Sequence, residues 1–109
     1  MKPICKTNSI GNRYWYLNSL LHREDGPAVE YLDGSKIWYL NGLRHREGGP
    51  AIEYYYGNKY WYLNGELHRE DGPAIEWANG TKFWYYQDKK IDCKDNQEFL
   101  RIVKLMVFL

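Results

Sequence analysis

The sequence has few cysteines, no long apolar run and no large excess of charge of either sign. Cys5 and Cys93 are the two cysteines among 109 residues, so a disulfide-rich scaffold is excluded. The longest apolar run covers residues 105–109, whereas a membrane-spanning helix needs about 20 residues. The N-terminus has none of the features of a signal peptide. We therefore expect a cytoplasmic chain with reduced thiols and no membrane contact.

Charge is balanced overall but unevenly distributed along the chain. The 15 Lys and Arg residues and the 14 Asp and Glu residues give a net charge of +1. Residues 11–79 carry 7 basic and 10 acidic residues, a balance of −3, while residues 80–109 carry 6 basic and 4 acidic residues. Nucleic-acid binding calls for clustered positive charge. The acidic stretch therefore argues against direct binding to nucleic acid.

A 23-residue repeat dominates what the sequence does contain. Residues 34–56 read GSKIWYLNGLRHREGGPAIEYYY, and closely similar segments of 23 residues precede and follow them. A fourth copy begins at residue 80 with GTKFWYYQDKK and then loses the pattern. A fixed period of this length is typical of repeat architectures, in which each unit buries its apolar face against its neighbours. The positions that mark the repeat without any slip are Gly11, Gly34, Gly57, Gly80, Trp15, Trp38, Trp61 and Trp84.

Each repeat has the pattern of a β-hairpin. Short runs of Trp, Tyr, Ile and Val are bounded by Asp-Gly, Asn-Gly and Gly-Pro pairs, which favour turns. We predict a mainly β fold, an array of β-hairpin repeats with a C-terminal capping α-helix, in a single domain over residues 1–109. Its parts are the repeats 11–33, 34–56 and 57–79, a degenerate repeat 80–95 and a capping helix 96–109. The two cysteines then lie about 29 Å apart, well beyond the roughly 7 Å that a disulfide allows between Cα atoms.

The turn positions predict which residues face each other across the hairpins. We expect Tyr56-Gly57 to be a two-residue turn, which sets Ile52 opposite Trp61 and Glu53 opposite Tyr60. Alternation of side chains along each strand then predicts two faces of the sheet. The expected core face carries the columns Val29/Ile52/Ile75, Trp38/Trp61/Trp84 and Leu40/Leu63. The opposite face is expected to carry Glu30/Glu53/Glu76, Ala28/Ala51/Ala74 and Tyr39/Tyr62/Tyr85.

The segment after residue 94 changes to a helical pattern. Asp95 followed by Glu98 resembles a capping box at a helix start. We predict a short helix that closes the array, because an open end exposes the core and an unpaired strand. Phe108 lies off the apolar stripe and is expected to contact a partner or a second copy, or to be a frayed end. The residues of the apolar stripe are Phe99, Ile102, Val103 and Met106.

Histidine recurs once per repeat, at His22, His45 and His68. Equivalent positions in successive repeats should lie about 10 Å apart, too far for shared ligation of a zinc ion at about 2.0–2.1 Å. Local acids such as Glu24 and Asp25 would be the further ligands of separate sites, but Gly48 replaces the aspartate in the second repeat. We expect the histidines to anchor loops, and we expect no metal and no cofactor. A catalytic His–Asp pair has no nucleophile beside it, so we also predict a non-enzymatic protein.

Written as Trp-Tyr-Leu-Asn-Gly-x-Leu-His-Arg-Glu-Asp-Gly-Pro-Ala-x-Glu, the repeat resembles that of MORN-like repeat proteins. It is more similar still to the small HREDGPA repeat proteins of bacteriophages and large DNA viruses, on the segments 21–28 and 67–74 within residues 11–90. The MORN step Trp-x-x-Gly is here Trp38-x-x-x-Gly42, so the membrane-lipid binding of some MORN proteins is not carried over. The resemblance implies a β-hairpin array with a non-enzymatic scaffold or interaction role, and it is compatible with a viral origin.

These observations together predict a protein-binding module. We expect its partner on the face rich in tyrosine and glutamate, because tyrosine is enriched at interfaces; the alternative is that the curl of the sheet or the terminal helix covers this face. The resemblance adds a role as a viral inhibitor in the host cytoplasm that occludes a surface of a host defence protein. The position of Phe108 adds the expectation of homo-oligomers through the terminal helix. The alternatives are a binder that sequesters a small nucleotide-like ligand and a purely structural scaffold. The predicted partner-binding residues are Tyr16, Tyr39, Tyr62, Tyr85, Glu30, Glu53, Glu76 and Phe108.

Overall fold

The chain forms a series of antiparallel hairpins followed by one helix, in a computed structural model that describes residues 1–108. The prediction of a mainly β chain of hairpins with a C-terminal helix is confirmed. The last residue of the predicted helix, Leu109, lies outside the described residues. No helix in residues 1–108 is long and apolar enough to cross a membrane. The elements are β1 (Ile4–Thr7), β2 (Arg13–Leu17), β3 (Leu20–Leu21), β4 (Val29–Glu30), β5 (Lys36–Ile37), β6 (Tyr39–Leu40), β7 (Leu43–Arg44), β8 (Ile52–Glu53), β9 (Lys59–Tyr60), β10 (Tyr62–Leu63), β11 (Glu66–Leu67), β12 (Ile75–Glu76), β13 (Lys82–Tyr86), β14 (Lys89–Ile91) and α1 (Asn96–Phe108).

The strands follow the chain order across one long sheet. Its order is β1-β2-β4-β5-β8-β9-β12-β13-β14, with β3 paired to β2. Each 23-residue repeat therefore adds two strands, such as β5 and β8 from the second repeat. The hairpins β6–β7 and β10–β11 project from the same repeats as separate pairs. The molecule is elongated and thin, with Cα extents of 47 × 32 × 17 Å.

The turn between β6 and β7 follows directly from its sequence. Asn41 and Gly42 both have positive φ, at 51° and 79°, as a type I′ hairpin turn requires. Asparagine and glycine are the residues that adopt this conformation most readily. The amide of Gly42 donates to the carbonyl of Leu21 at 2.8 Å, so the turn also contacts the preceding repeat.

The turns between the paired strands differ from the prediction by one residue. The amide of Tyr54 donates to the carbonyl of Asn58 at 3.0 Å, and the amide of Gly57 donates to the carbonyl of Tyr54 at 2.9 Å. The loop thus contains three residues, 55–57, with Gly57 at φ 105°, and the predicted two-residue turn was wrong. A three-residue loop that ends in a left-handed glycine is a common hairpin connection. Consequently Ile52 faces Tyr60 and Glu53 faces Lys59.

This shift of one residue reverses the predicted faces, because side chains alternate along a strand. Tyr39 and Tyr62 pack against the buried aliphatic cluster of Val29, Ile37 and Ile52, and we call this side of the sheet the core face. The predicted grouping of Trp38 and Trp61 with the Val29/Ile52/Ile75 column, and of Tyr39 and Tyr62 with the glutamates, was wrong, whereas Leu40 and Leu63 do lie beside these two tryptophans as predicted. Trp15, Trp38 and Trp61 lie on the opposite side, which we call the groove face, beside Glu30, Glu53 and Glu76.

Side chains link the tips of successive hairpins. The residue that follows each tip glycine accepts a hydrogen bond from a backbone amide in the next tip. Asn12 Oδ1 accepts from Leu32 N at 2.8 Å, Ser35 Oγ from Tyr55 N at 3.0 Å, and Asn58 Oδ1 from Ala78 N at 2.8 Å. Asn12 and Ser35 are buried. Each link crosses from one repeat to the next, so the tips fix the stacking of neighbouring repeats.

The terminal helix packs on the last strands of the array. Phe99 is fully buried and forms a second core with Trp84 and Ile91. The Trp84 indole donates to Asn96 Oδ1 at 2.8 Å. Asp95 Oδ1 accepts from the amide of Glu98 at 2.9 Å, which is the helix N-cap expected from the sequence. The predicted inward stripe is confirmed, since Ile102, Val103 and Met106 also pack on this core.

Candidate functional site

The arginine of each HRE segment stacks on the tryptophan of its own repeat. The guanidinium carbon lies 3.9, 3.8 and 4.0 Å from the tryptophan ring centroid in the three repeats. The same guanidinium donates to the proline carbonyl four residues later, at 3.2, 3.1 and 3.1 Å. It also lies 3.8, 3.3 and 3.5 Å from a glutamate on the neighbouring strand. The repeated sets are Trp15–Arg23–Glu30, Trp38–Arg46–Glu53 and Trp61–Arg69–Glu76.

The glycine before each proline leaves the space that the arginine occupies. A Cβ atom built on Gly49 would lie 2.9 Å from Arg46 Cζ, and one built on Gly72 would lie 2.8 Å from Arg69 Cζ. Real Cβ atoms do not approach other heavy atoms so closely. The Arg-x-x-Gly-Pro spacing therefore leaves room for the guanidinium to lie over the indole ring, where cation–π attraction stabilises it.

The histidines connect each repeat to the turn of the next. The Nδ1 atoms of His22, His45 and His68 accept hydrogen bonds from the backbone amides of residues 41, 64 and 87, each at 2.9 Å. An accepting Nδ1 carries no proton, so in the neutral ring the proton resides on Nε2. His22 and His68 are buried, with 6% and 8% of their surface exposed. The histidines thus fix the stacking of repeats on the side opposite the hairpin tips.

Between these anchors the chain forms three open grooves along the groove face. The second groove is lined by the loop of the first repeat and by Trp38, Leu40 and His45 of the second. The third is lined by the loop of the second repeat and by the equivalent Trp61, Leu63 and His68. The first lies between residues 1–3 and the equivalent Trp15, Leu17 and His22. Their volumes are about 390, 490 and 480 Å³ in chain order.

The free charge at the rim of the second and third grooves is negative, whereas Lys2 adds a positive charge to the lining of the first groove. Glu24, Glu47 and Glu70 extend into solvent with 82%, 88% and 76% of their side chains exposed. Each lies 3.6–3.9 Å from the histidine Nε2 of its own repeat, beyond hydrogen-bond distance. The arginines, in contrast, are already engaged by tryptophan, proline and glutamate. A hydrogen bond and the charge of Arg69 also lower the pKa of Asp71 below its ordinary value, so that carboxylate is ionised at neutral pH.

Comparison of the chain with protein-family models, curated proteins and solved structures gives no match.

The structure separates the residues predicted to bind a partner into several environments. Glu30, Glu53 and Glu76 are half-buried on the groove face and lie beside the stacked arginines. Tyr39 and Tyr62 are half-buried on the core face. Burial raises the pKa of the Tyr62 phenol above its ordinary value, although Arg44 opposes the effect. These two tyrosines therefore do not share a face with the three glutamates.

The remaining predicted residues lie near the ends of the array. Tyr16 on β2 and Tyr85 on β13 are half-buried, and Tyr16 has the ammonium of Lys6 at 5.6 Å from its ring. Phe108 at the end of α1 is 86% exposed. It belongs to an outward apolar group on the helix, which also contains Leu100, Leu105 and Val107.

Within residues 1–108 no group of three or more His, Cys, Asp or Glu side chains lies close enough to hold a metal ion. The grooves and the stacked arginines were not predicted from the sequence. The sequence does contain a signal for them, because arginine follows tryptophan by eight residues in each repeat, at 15/23, 38/46 and 61/69. That spacing predicts stacking only once it is known which residues share a face of the sheet, and the faces depend on the turn geometry.

Proposed function

We propose that this chain is a non-enzymatic protein-binding module, a MORN-like array that binds its partner through the three grooves. The observation that carries the proposal is the repetition of one groove along one side of the sheet. A catalytic site is a single asymmetric constellation of groups, whereas repeated equivalent grooves favour binding of an extended surface. Repeat proteins present such surfaces because each unit adds the same contacts.

The composition of the grooves supports binding to protein. Each combines a tryptophan and a leucine with polar groups at the rim, and tryptophan and arginine are enriched among the residues that contribute most to interfaces. The stacked guanidinium and the anchored histidine hold the walls rigid before a partner arrives. Preorganised walls lower the entropy lost on binding.

The resemblance to viral repeat proteins extends the proposal to the biological setting. On that basis the partner is a host protein, including a component of a host defence system, and the chain inhibits it by covering a surface. Sequestration of a small nucleotide-like ligand is the second candidate, since an aromatic groove offers a stacking surface. The exposed glutamates at the rim disfavour a phosphate-bearing ligand there, because like charges repel.

Affinity capture with matched variants tests the protein-binding proposal. The tagged chain is incubated with host lysate, and bound proteins are identified and quantified. The groove variant carries Glu47→Gln and Glu70→Gln. The control variant carries Glu66→Gln and Asp92→Asn, which remove the same charge at exposed positions that do not line the grooves. We expect one partner that the wild type and the control capture and that the groove variant retains poorly.

Other outcomes identify the alternatives. Equal capture by both variants contradicts binding through the grooves and directs attention to the exposed side of α1. A nucleotide released from the heated protein, without any protein partner, supports the ligand-binding candidate instead.

A further inference from the structure

The grooves are spaced in a way that selects one backbone conformation for the partner. We infer, building on the proposed protein-binding function, that they bind a single polyproline-II segment that carries a lysine or arginine at every third position. Three features of the groove face favour such a segment: the distance between successive grooves, the free charge at their rims and the unpaired hydrogen-bond donors in their walls.

The spacing between grooves follows from the sheet. Each repeat adds two strands, so equivalent groove atoms in successive repeats lie about 10 Å apart. Polyproline II has three residues per turn and a rise of about 3.1 Å per residue, so every third side chain points the same way at about 9.3 Å intervals. A β-strand has nearly the same rise, but its side chains alternate between two faces. Residues three positions apart in a strand therefore point to opposite faces, so they cannot all enter successive grooves.

The charge at the rim selects cationic side chains. Glu24, Glu47 and Glu70 recur once per repeat, they are exposed, and none has an arginine within ion-pair distance. The second groove also has an apolar wall formed by Trp38 and Leu40. A lysine or arginine packs its aliphatic stem on such a wall while its charged end remains at the rim. The three glutamates thus provide cation-binding positions along the second and third grooves, whereas Lys2 in the lining of the first groove opposes the charge of Glu24 there.

Unpaired donors in the same grooves indicate that the ligand also presents acceptors. The side chains of His22 and His68 line the first and third grooves, and their Nδ1 atoms are already occupied. Within residues 1–108 their Nε2 atoms have no acceptor at hydrogen-bond distance, since the carboxylates of Glu24 and Glu70 lie 3.6 and 3.9 Å away. No fully buried side-chain N or O atom in this part of the chain lacks a partner, so these two N–H groups retain some access to solvent.

The indole N–H groups of the groove tryptophans also have no hydrogen-bond acceptor within residues 1–108. Trp84 donates its N–H to Asn96, whereas Trp15, Trp38 and Trp61 have no acceptor for theirs in the described part of the chain. A polyproline-II backbone makes no internal hydrogen bonds, so its carbonyl groups are free to accept from histidine and tryptophan. A helix or a paired strand would offer few free carbonyls. The donors therefore favour the same backbone conformation as the groove spacing.

Synthetic peptides of fixed composition test the inference directly. The probe is a labelled nonapeptide with three Lys-Pro-Pro units, and binding to the full chain is followed by fluorescence anisotropy at low salt. The register control contains the same three lysines in one block followed by six prolines. The charge control has three Glu-Pro-Pro units. We expect the probe to bind best and the charge control not to bind.

Two protein variants locate the binding. Glu47→Gln with Glu70→Gln should weaken binding of the probe by about three- to tenfold, because two exposed ion pairs are lost. Glu66→Gln with Asp92→Asn should leave it unchanged. Circular dichroism of both variants checks that the fold is retained.

Three results would overturn the inference. They are equal binding of the probe and the register control, no binding of the probe at concentrations up to millimolar, and equal effects of the two variants. The proposed function is judged separately by the capture experiment. A partner lost from the groove variant in the absence of peptide binding leaves the protein-binding function in place and refutes only the polyproline-II segment.

Discussion

Replacing Phe99 with alanine tests whether the terminal helix closes the core of the array. Phe99 is the one large side chain in residues 1–108 that is fully buried, and it packs on Trp84 and Ile91 from the last strands. Its removal leaves a cavity between α1 and the sheet. Because the helix contacts the array mainly through this cluster, the substitution weakens the attachment of the whole element.

The expected loss of stability is large for a domain of this size. Replacement of a buried phenylalanine by alanine costs about 3–5 kcal/mol, and small domains unfold with free energies of about 5–15 kcal/mol. At roughly 4–8 °C per kcal/mol for a domain of about 100 residues, the Tm should fall by at least about 12 °C. The matched control is Leu100→Ala on the same helix, where the side chain is 47% exposed. We expect that control to lose about 1 kcal/mol.

Urea denaturation followed by circular dichroism and tryptophan fluorescence measures both variants. Trp84 packs against the helix, so its fluorescence reports on the helix junction. Trp15, Trp38 and Trp61 line the grooves, so their fluorescence reports on the rest of the array. Equal losses for Phe99→Ala and Leu100→Ala would refute the reasoning. That result would mean that α1 does not cap the array and is available to a partner or a second copy.

Three further sets of substitutions test the connections within the array by the same urea measurement. His68→Ala should lower the free energy of unfolding by about 1–3 kcal/mol, because the amide of residue 87 in the next turn loses its acceptor. His68→Asn should recover part of that stability. An unchanged free energy for His68→Ala would contradict the anchoring role of the histidine. Gly57→Ala should destabilise the chain by more than about 1 kcal/mol, and by more than Gly80→Ala. Both glycines have positive φ, but of the two only Gly57 would place an added Cβ close to another side chain, 3.0 Å from Ala78 Cβ. Equal losses of stability would therefore show that the contact with Ala78 does not contribute to the destabilisation. Tyr39→Ala with Tyr62→Ala should cost at least about 2 kcal/mol, since both pack on the core face; an unchanged midpoint would restore the original assignment of the faces.

Local features of the chain determined several elements without help from tertiary contacts. The start of α1 follows from Asp95 and Glu98, whose capping hydrogen bond lies within a single turn of helix. The Asn41-Gly42 turn follows from two residues that tolerate positive φ. The repeat itself is visible because each unit makes the same contacts as its neighbours, which keeps the sequence periodic. For the helix start and the Asn41-Gly42 turn, the deciding interactions are close in the sequence.

The faces of the sheet and the grooves depended on contacts that the sequence does not specify locally. A glycine at position 57 is compatible with a two-residue or a three-residue loop, and the choice moves every side chain of the strand to the other face. Hydrogen bonds between neighbouring tips, such as Ser35 to Tyr55, link that loop to the preceding repeat. The stacking of Arg46 on Trp38 likewise exists only after the loop folds back over the strand. The sequence alone therefore determined a mainly β chain of hairpins with a terminal helix. The tertiary structure decided which side chains form the core and which line the grooves, because that choice depends on hydrogen bonds between residues about 20 positions apart.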